Sequence, residues 1–326
     1  MTTAVSTSRF NGTELLKKLN GYLKAALLPA VGIALFLLLW SVGANSINTS
    51  LGKFPGPIAV AEQFQTLYTE HKTERAKAAA FYERQEARNA KRIAADPTYE
   101  PKERKYTGKE TFIDQILTSL WTVFVGFIIA SLIAIPIGIV SGLSNSLYAA
   151  INPLIQILKP ISPLAWLPIV TLVVSAVYVS ADPMFSKAFV TSAITVTLCS
   201  LWPTLINTAV GVSSIDKDLI NVGRVLQLNY MTTVFKIVIP SSIPMIFTGL
   251  RISLGIGWMV LIAAEMLAQN PGLGKFVWDE FQNGSSNSLS RIMVAVLTIG
   301  ILGFILDRIM LAMQKFFSYD KNATIR

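Results

Sequence analysis

Few residues in this 326-residue chain are equipped for covalent chemistry. His71 is the single histidine and stands in a charged stretch, where solvation is its ordinary state; Cys199 is the single cysteine, lies in an apolar run and reads as a small buried hydrophobe. One histidine leaves no base for a serine or cysteine dyad, and neither H-E-x-x-H nor G-x-S-x-G occurs. The run Gly272-Leu273-Gly274-Lys275-Phe276 lacks the upstream glycine spacing and the following Ser or Thr of a phosphate loop. The chain is therefore expected to hold no metal and no cofactor of its own and to hydrolyse no ATP.

What remains is charge placed among apolar residues. Arg251 sits in Thr248–Gly255 and Glu265 in Ala263–Met266, both inside one long apolar run. An arginine deep in hydrocarbon costs about 3 kcal/mol on insertion scales, so Arg251 should face a cavity or a partner. It either guides an anion along a pathway or bonds to helix ends and backbone carbonyls. Glu265 follows on nearly the same helical face, roughly 20 Å further along, too far to pair with Arg251 within the helix. A carboxylate would repel an anionic cargo, which favours a structural role for Glu265. Lys159, at the break Lys159-Pro160-Ile161-Ser162-Pro163, is expected to snorkel to headgroups, with an anion contact as the alternative. Trp258 fills volume beside Gly255 and Gly257, which permit close helix approach; packing is favoured over a pathway role.

These residues need a bilayer around them. With 52% hydrophobic and 14% charged residues and a mean hydropathy of +0.52, the chain has too few charges to coat a water-soluble globule of its size. The formal charge of +9 does not point to nucleic acid, because about a third of the basic residues crowd one inter-helix segment and no aromatic-basic reader motif accompanies them.

Six spans are expected. Ala25–Ala44 is long enough to cross, and a retained first helix with a cytoplasmic N-terminus is favoured over a cleaved signal peptide. The breaker cluster Leu51–Pro57 follows. Residues 59–95 are so polar all round that they must stand in solvent or against a partner, with a stop at Asp96-Pro97 and a flexible return over 98–110. The excess of Lys and Arg there argues weakly for the cytoplasm, but long loops escape that rule and the segment is placed outside. Trp121–Ser141 is the second span, with Pro136 as a kink and Gly138-x-x-x-Gly142 as a close-packing face. Leu147–Leu158 reads as a membrane-surface helix and Leu164–Val179 as the third span. Asp182-Pro183 makes a turn, and Ala188–Val210 is the fourth span, with Trp202 at an interface. Ile243–Met266 and Met293–Phe316 complete the set, which puts residues 212–240 and the C-terminus on the cytoplasmic side. No internal repeat supports an inverted-repeat carrier.

Between the fourth and fifth spans, Asn221–Pro240 is a polar helix-turn-helix handle closing on Ile237-Val238-Ile239-Pro240, where proline ends one helix and can open the next. An ordinary amphipathic connector is the other reading. The layout resembles the cytoplasmic loop of binding-protein-dependent ABC importer permeases, E-A-A-x3-G-x9-I-x-L-P, whose short helix docks into a groove on the ATPase subunit. Its first three positions fall on Asn221, Val222 and Gly223, its glycine on Gln227, and its Ile and Pro on Ile237 and Pro240. The spacing matches throughout, while the Glu, the alanines and the glycine are replaced. Leu51–Pro57, Thr248–Gly255 and Ala263–Met266 resemble the corresponding segments of nitrate, sulfonate and taurine permeases.

The resemblance, over roughly residues 112–316, implies an all-α membrane protein with the six-helix, type I (MetI-like) importer permease fold. Residues 1–50 then hold the N-terminal tail and first span, 51–111 an extra-membrane polar helical insertion where close relatives usually have a shorter connection, 112–316 the permease domain with its coupling loop at 212–240, and 317–326 a cytoplasmic tail. Implied partners are a second copy, two cytoplasmic ATPase subunits that carry ATP and Mg, an external binding (lipo)protein, and lipid. Coupling-loop residues are expected to be Asn221, Gly223, Arg224, Gln227, Leu228, Asn229, Tyr230 and Pro240. The cargo implied is nitrate or nitrite, with bicarbonate and then alkanesulfonates or taurine as alternatives, across a bacterial, by resemblance cyanobacterial, inner membrane. A reading of a different class is an ATP-independent anion channel or carrier.

Overall fold

The computed structural model describes residues 12–49, 52–96, 98–101, 103–180, 183–285 and 287–317. The expected turn at Asp182, the stop at Pro97 and the tail with Lys321 and Arg326 lie outside the described residues. Helix α1 (Gly12–Ser46) leads into a two-residue hairpin, β1 (Asn48–Thr49) and β2 (Gly52–Lys53), and then into α2 (Pro57–Ala95). There follow α3 (Phe112–Leu143), α4 (Asn145–Leu158), α5 (Pro163–Val177), α6 (Lys187–Ser213) and α7 (Lys217–Val225). A short α8 (Tyr230–Thr233), a π-helical turn (Val234–Val238) and α9 (Ile239–Ala268) run on without a break, and α10 (Leu273–Asn283) and α11 (Ser288–Phe317) end the chain.

Among the described residues five helices are long and apolar enough to cross a membrane, and six if α4 and α5 count as one broken span. The expected third span is thus only half a span. Its α5 is 15 residues, about 22 Å, and meets α4 at 98°. The cause is local: Pro160 and Pro163 flank the corner, and Ser162 caps the new helix by accepting from the Leu164 N–H at 3.3 Å.

α6 is the centre of the molecule, packed between α3 and α9. Its faces carry small polar residues instead of bulky ones: Thr191, Ser192, Thr195, Ser200, Thr204 and Thr208 are all buried. Such residues let backbones approach, and some of their hydroxyls bond locally or across the seam, while those of Ser192, Ser200 and Thr208 have no hydrogen-bond partner among the described residues. The Thr197 hydroxyl donates to the Gly126 carbonyl at 3.0 Å, and the Thr204 N–H donates to Ser253 Oγ at 3.1 Å. On α3, a side chain at Gly138 or Gly142 would meet the Leu205 or Ala209 carbonyl at 2.8 and 2.6 Å, so the Gly-x-x-x-Gly face packs as expected. Gly257 does likewise against Val196 and Ser200, but Gly255 faces open space, contrary to expectation. Trp202 is also displaced from its expected place at an interface: it is buried in a cluster with Ala130, Ala134, Ile155 and Leu205, on a face of α6 that α3 and α4 cover.

The polar insertion is ordered. The return over 98–110 is held along α2, with the Tyr106 hydroxyl donating to Glu74 Oε1 at 2.6 Å and the Arg104 N–H to Gln85 Oε1 at 3.0 Å. The Tyr106 hydrogen bond keeps the Glu74 carboxyl below its usual range. The first half of α2 is fastened to the body: Val60 and Leu67 join the main apolar cluster, Arg291 pairs with Glu70 and Glu280, and Arg75 pairs with Asp114. His71, expected to be solvated, is hydrogen-bonded through Nδ1 to Thr111 Oγ1 at 2.6 Å. That threonine also forms the capping box of α3 with Asp114. α2, the start of α3, α10 and the start of α11 therefore share one end of the molecule, around a cleft of about 740 Å³, and α7 to the π turn share the other. α1 is exposed along most of its apolar length, touching the body near Trp40, whose Nε1 donates to the Pro55 carbonyl at 3.1 Å.

Gly138→Ala is expected to cost about 1–3 kcal/mol through overpacking of the seam, seen as a lower melting temperature of the purified protein in detergent, whereas Gly255→Ala leaves that temperature unchanged.

Candidate functional site

Two constellations stand out, one on the handle and one inside the membrane-spanning bundle. On the handle, Asp216 starts α7 by accepting from the Asp218 N–H at 3.0 Å. The helix ends in a Schellman arrangement, with the Leu228 N–H bonded to the Gly223 carbonyl at 3.0 Å and the Gln227 N–H to the Arg224 carbonyl at 3.0 Å. This motif needs a left-handed residue, and Gln227 supplies it at φ 52°. The glycine position of the importer pattern thus keeps its backbone conformation here with a side chain present. Asn229 then caps the next helix by accepting from the Thr232 N–H at 2.7 Å.

Gly223 is the buried contact of the handle: a Cβ there would lie 3.0 Å from Ile237 Cδ1 in the π turn. Pro240 opens α9, as the sequence allowed, but no helix ends ahead of it, contrary to the other half of that expectation. It occupies the first turn of α9, and the π turn before it absorbs the misfit, with the Ile239 N–H reaching back five residues to the Val234 carbonyl. Tyr230–Ala268 is consequently one 39-residue helical rod.

Of the expected coupling residues, Asn221, Arg224 and Tyr230 are exposed on the handle, Leu228 is half-buried, and Gln227 and Asn229 shape the turn. Sequence reasoning passed over the apolar residues beside them: Val222, Val225, Leu226, Met231 and Phe235 are all exposed, Val225 by 82%. The signal was present as the amphipathic spacing of Leu219, Val222 and Val225–Leu226, unusual on a segment that otherwise reads as polar.

Inside the bundle, Arg251 of α9 pairs with Asp307 of α11, Nη2 to Oδ1 at 2.9 Å and Nε to Oδ1 at 3.1 Å. Asp307 also accepts from Arg308 at 3.1 Å. Asp307 was missed, although it is the lone carboxylate in the apolar run 293–316 and stands where an intramembrane arginine needs a partner.

Glu265 is fully buried at the opposite end of α9. Its carboxylate accepts from Ser119 Oγ at 2.9 and 2.8 Å and from the Gly274 N–H at 2.9 Å. Ser119 Oγ accepts in turn from the Leu273 N–H at 2.8 Å, and Asn270 Nδ2 donates to Thr122 Oγ1 at 3.2 Å. Side chains at Gly272 or Gly274 would strike Glu265 or the Ile262 carbonyl. The glycines of Gly272-Leu273-Gly274-Lys275 therefore make room for a carboxylate, not a phosphate. Trp258 is buried between α9 and α11, its Nε1 donating to the Ile299 carbonyl at 3.0 Å. Lys159 is exposed at the corner of α4 and α5.

Residues 134–319 match the family model described as the inner membrane component of binding-protein-dependent transport systems. The chain belongs to this family. It is 36% identical over 318 residues to the bicarbonate transport system permease protein CmpB of Synechococcus elongatus, covering 97% of this chain and 98% of that one. It is 35% identical over 280 residues to the nitrate import permease protein NrtB of Synechocystis, covering 86% and 85%. To NrtB of Synechococcus elongatus it is 40% identical over 195 residues, covering 60% and 66%. The fold is that of the MetNI methionine ABC transporter in an inward-facing conformation, with a TM-score of 0.54 at 14% identity over 63% of this chain and 95% of that one. The chain is thus a multi-pass ABC importer permease, which works with an ATPase and a binding protein and is not itself the catalyst. The match to CmpB covers 97% of this chain and so takes in the insertion at residues 51–111, a connection expected to be shorter in most relatives.

Gln227→Gly is expected to be neutral or stabilising by about 1 kcal/mol, since glycine meets no penalty at positive φ, while Gln227→Val disrupts the turn. Hydrogen exchange of the amides from 217 to 233 measures both: slower or unchanged exchange in the first, faster in the second.

Proposed function

We propose that this permease pairs with a second copy of itself to form the pathway by which a small inorganic anion, nitrate or nitrite, enters a bacterial cell, with α7, α8 and the π turn as the arm that two cytoplasmic ATPase subunits grip. The observation that carries the reading is the handle. A solvent-facing apolar patch from Val222 to Phe235, ordered by the Schellman turn and by Asn229, has no use on a segment that ends in water unless a partner covers it. ATP and Mg belong to that partner, and this chain binds no cofactor. The N- and C-termini lie on the cytoplasmic side with the handle. The end bearing α2 and α10 faces outward, toward the receptor, across what the named relatives suggest is a cyanobacterial inner membrane.

A second reading, import of bicarbonate, is favoured by one particular: the relative named for bicarbonate matches over nearly its whole length, insertion included, whereas the nitrate relatives match over less. Both ions are planar oxyanions of one charge, and the external receptor usually chooses between them.

Val225→Asp and Arg224→Glu are expected to abolish co-purification of the ATPase subunits and uptake of labelled nitrate in a deletion strain, while the permease still assembles in detergent. Normal uptake by both variants overturns the docking assignment. Uptake of labelled bicarbonate without nitrate by the unsubstituted protein selects the second reading.

A further inference from the structure

We propose that Arg308, set beside the Arg251–Asp307 pair, is an anion-binding station on a water-filled pathway through the membrane. This deepens the reading of the chain as an anion importer and rests on it. Asp307 is the shared acceptor: Arg251 donates to Oδ1 at 2.9 Å and to Oδ2 at 3.3 Å, and Arg308 donates to Oδ2 at 3.1 Å. One carboxylate between two guanidiniums leaves a net charge of +1. Arg251 is the neutralised member, with its side chain 21% exposed, and Arg308 is the open one, at 53%.

Depth makes this exposure informative. α11 has 30 residues, about 45 Å, and Arg308 lies about 14 Å from its last residue, inside a hydrocarbon core of about 30 Å centred on the helix. A lipid-facing arginine at that depth would snorkel toward the nearer surface. Arg308 does the opposite, because its guanidinium lies over the ring of Phe304, 5.0 Å from the centroid and one turn closer to the middle of the helix. Phe304 is itself exposed. A charge directed at the middle of the bilayer and left open in one chain has to be answered by water, by an ion or by the second copy, and water and an ion are what a pathway between two copies supplies.

The chemistry suits a planar monoanion. A guanidinium presents a flat fork of donors that matches two oxygens of a trigonal oxyanion. Asp307 holds the fork in place and offsets half of the cluster's positive charge, which keeps the station weak enough to release its ion, as conduction requires.

The assembled complex tests this without relying on transport. With Cys199→Ser as background, a cysteine placed by Phe304→Cys is expected to react several-fold faster with a sulfonate-bearing methanethiosulfonate than with a trimethylammonium-bearing one, after correction for their rates on a free thiol. Arg308→Gln is expected to erase that preference and to lower nitrate uptake at least about tenfold with ATPase co-purification unchanged. Arg308→Lys, which keeps the charge and loses the fork, is expected to retain the preference and part of the uptake. No reaction with either reagent, or a preference unaffected by Arg308→Gln, overturns the station. If the sulfonate preference holds but the unsubstituted complex imports neither nitrate nor bicarbonate, the cargo reading fails and the station stands. If import proceeds and the preference is absent, the station alone fails.

Discussion

Hydrocarbon offers no partner to a charge or to an unpaired backbone group, so every polar atom within the bundle has to be answered from inside the protein. That constraint accounts for most of what is specific in this structure. It seats Glu265 among Ser119 and the Gly274 N–H, and it joins Arg251 to Asp307. Thr195 and Thr197 of α6 obey it too, bonding back to carbonyls four residues earlier, and Thr204 meets Ser253 across the seam, although the hydroxyls of Ser192, Ser200 and Thr208 find no such partner among the described residues. Because the hydroxyls that are bonded are answered within the protein and all of these side chains are small, α6 can be polar in composition and still lie at the centre of a membrane protein.

The same rule explains which parts were legible in the sequence. Long apolar runs bounded by Pro, Gly and Ser fixed the spans, since a helix is the only solution open to such a run in lipid. The helix-turn-helix layout of the handle was legible from spacing, even with the glycine of the pattern replaced. What spacing specifies is a backbone turn, and Gln227 adopts the left-handed conformation that the turn demands. Gly138 and Gly142 could be read because a four-residue glycine spacing has one common use in a bilayer.

What stayed hidden depended on which face meets which. Trp202 has the chemistry of an interface residue and became a core residue because residues of α3 and α4 pack over it, while α3, α5 and α9 flank its helix, a fact about topology. Asp307 is ordinary in sequence until Arg251 is placed beside it. The corner between α4 and α5 escaped because four prolines in one stretch announce a break without giving its angle. Pro240 escaped for the opposite reason: a helix can carry a proline in its first turn when a π turn ahead of it takes up the misfit.

The continuous rod from Tyr230 to Ala268 connects these pieces mechanically. At about 1.5 Å per residue its 39 residues span about 58 Å, with the handle's π turn at one end, Arg251 part-way along and Glu265 at the other. If the handle is the arm proposed above, a push on it meets a continuous helix between loop and span. It would either rotate the rod about its far end, where Glu265 and the α10 corner are bonded to α3, or carry α6 along through the Thr204–Ser253 seam. Either motion changes the position of Arg251 relative to α11, and the salt bridge to Asp307 lies across that moving boundary. A charge pair at such a place biases two arrangements of one packed element, which is the physical content of gating.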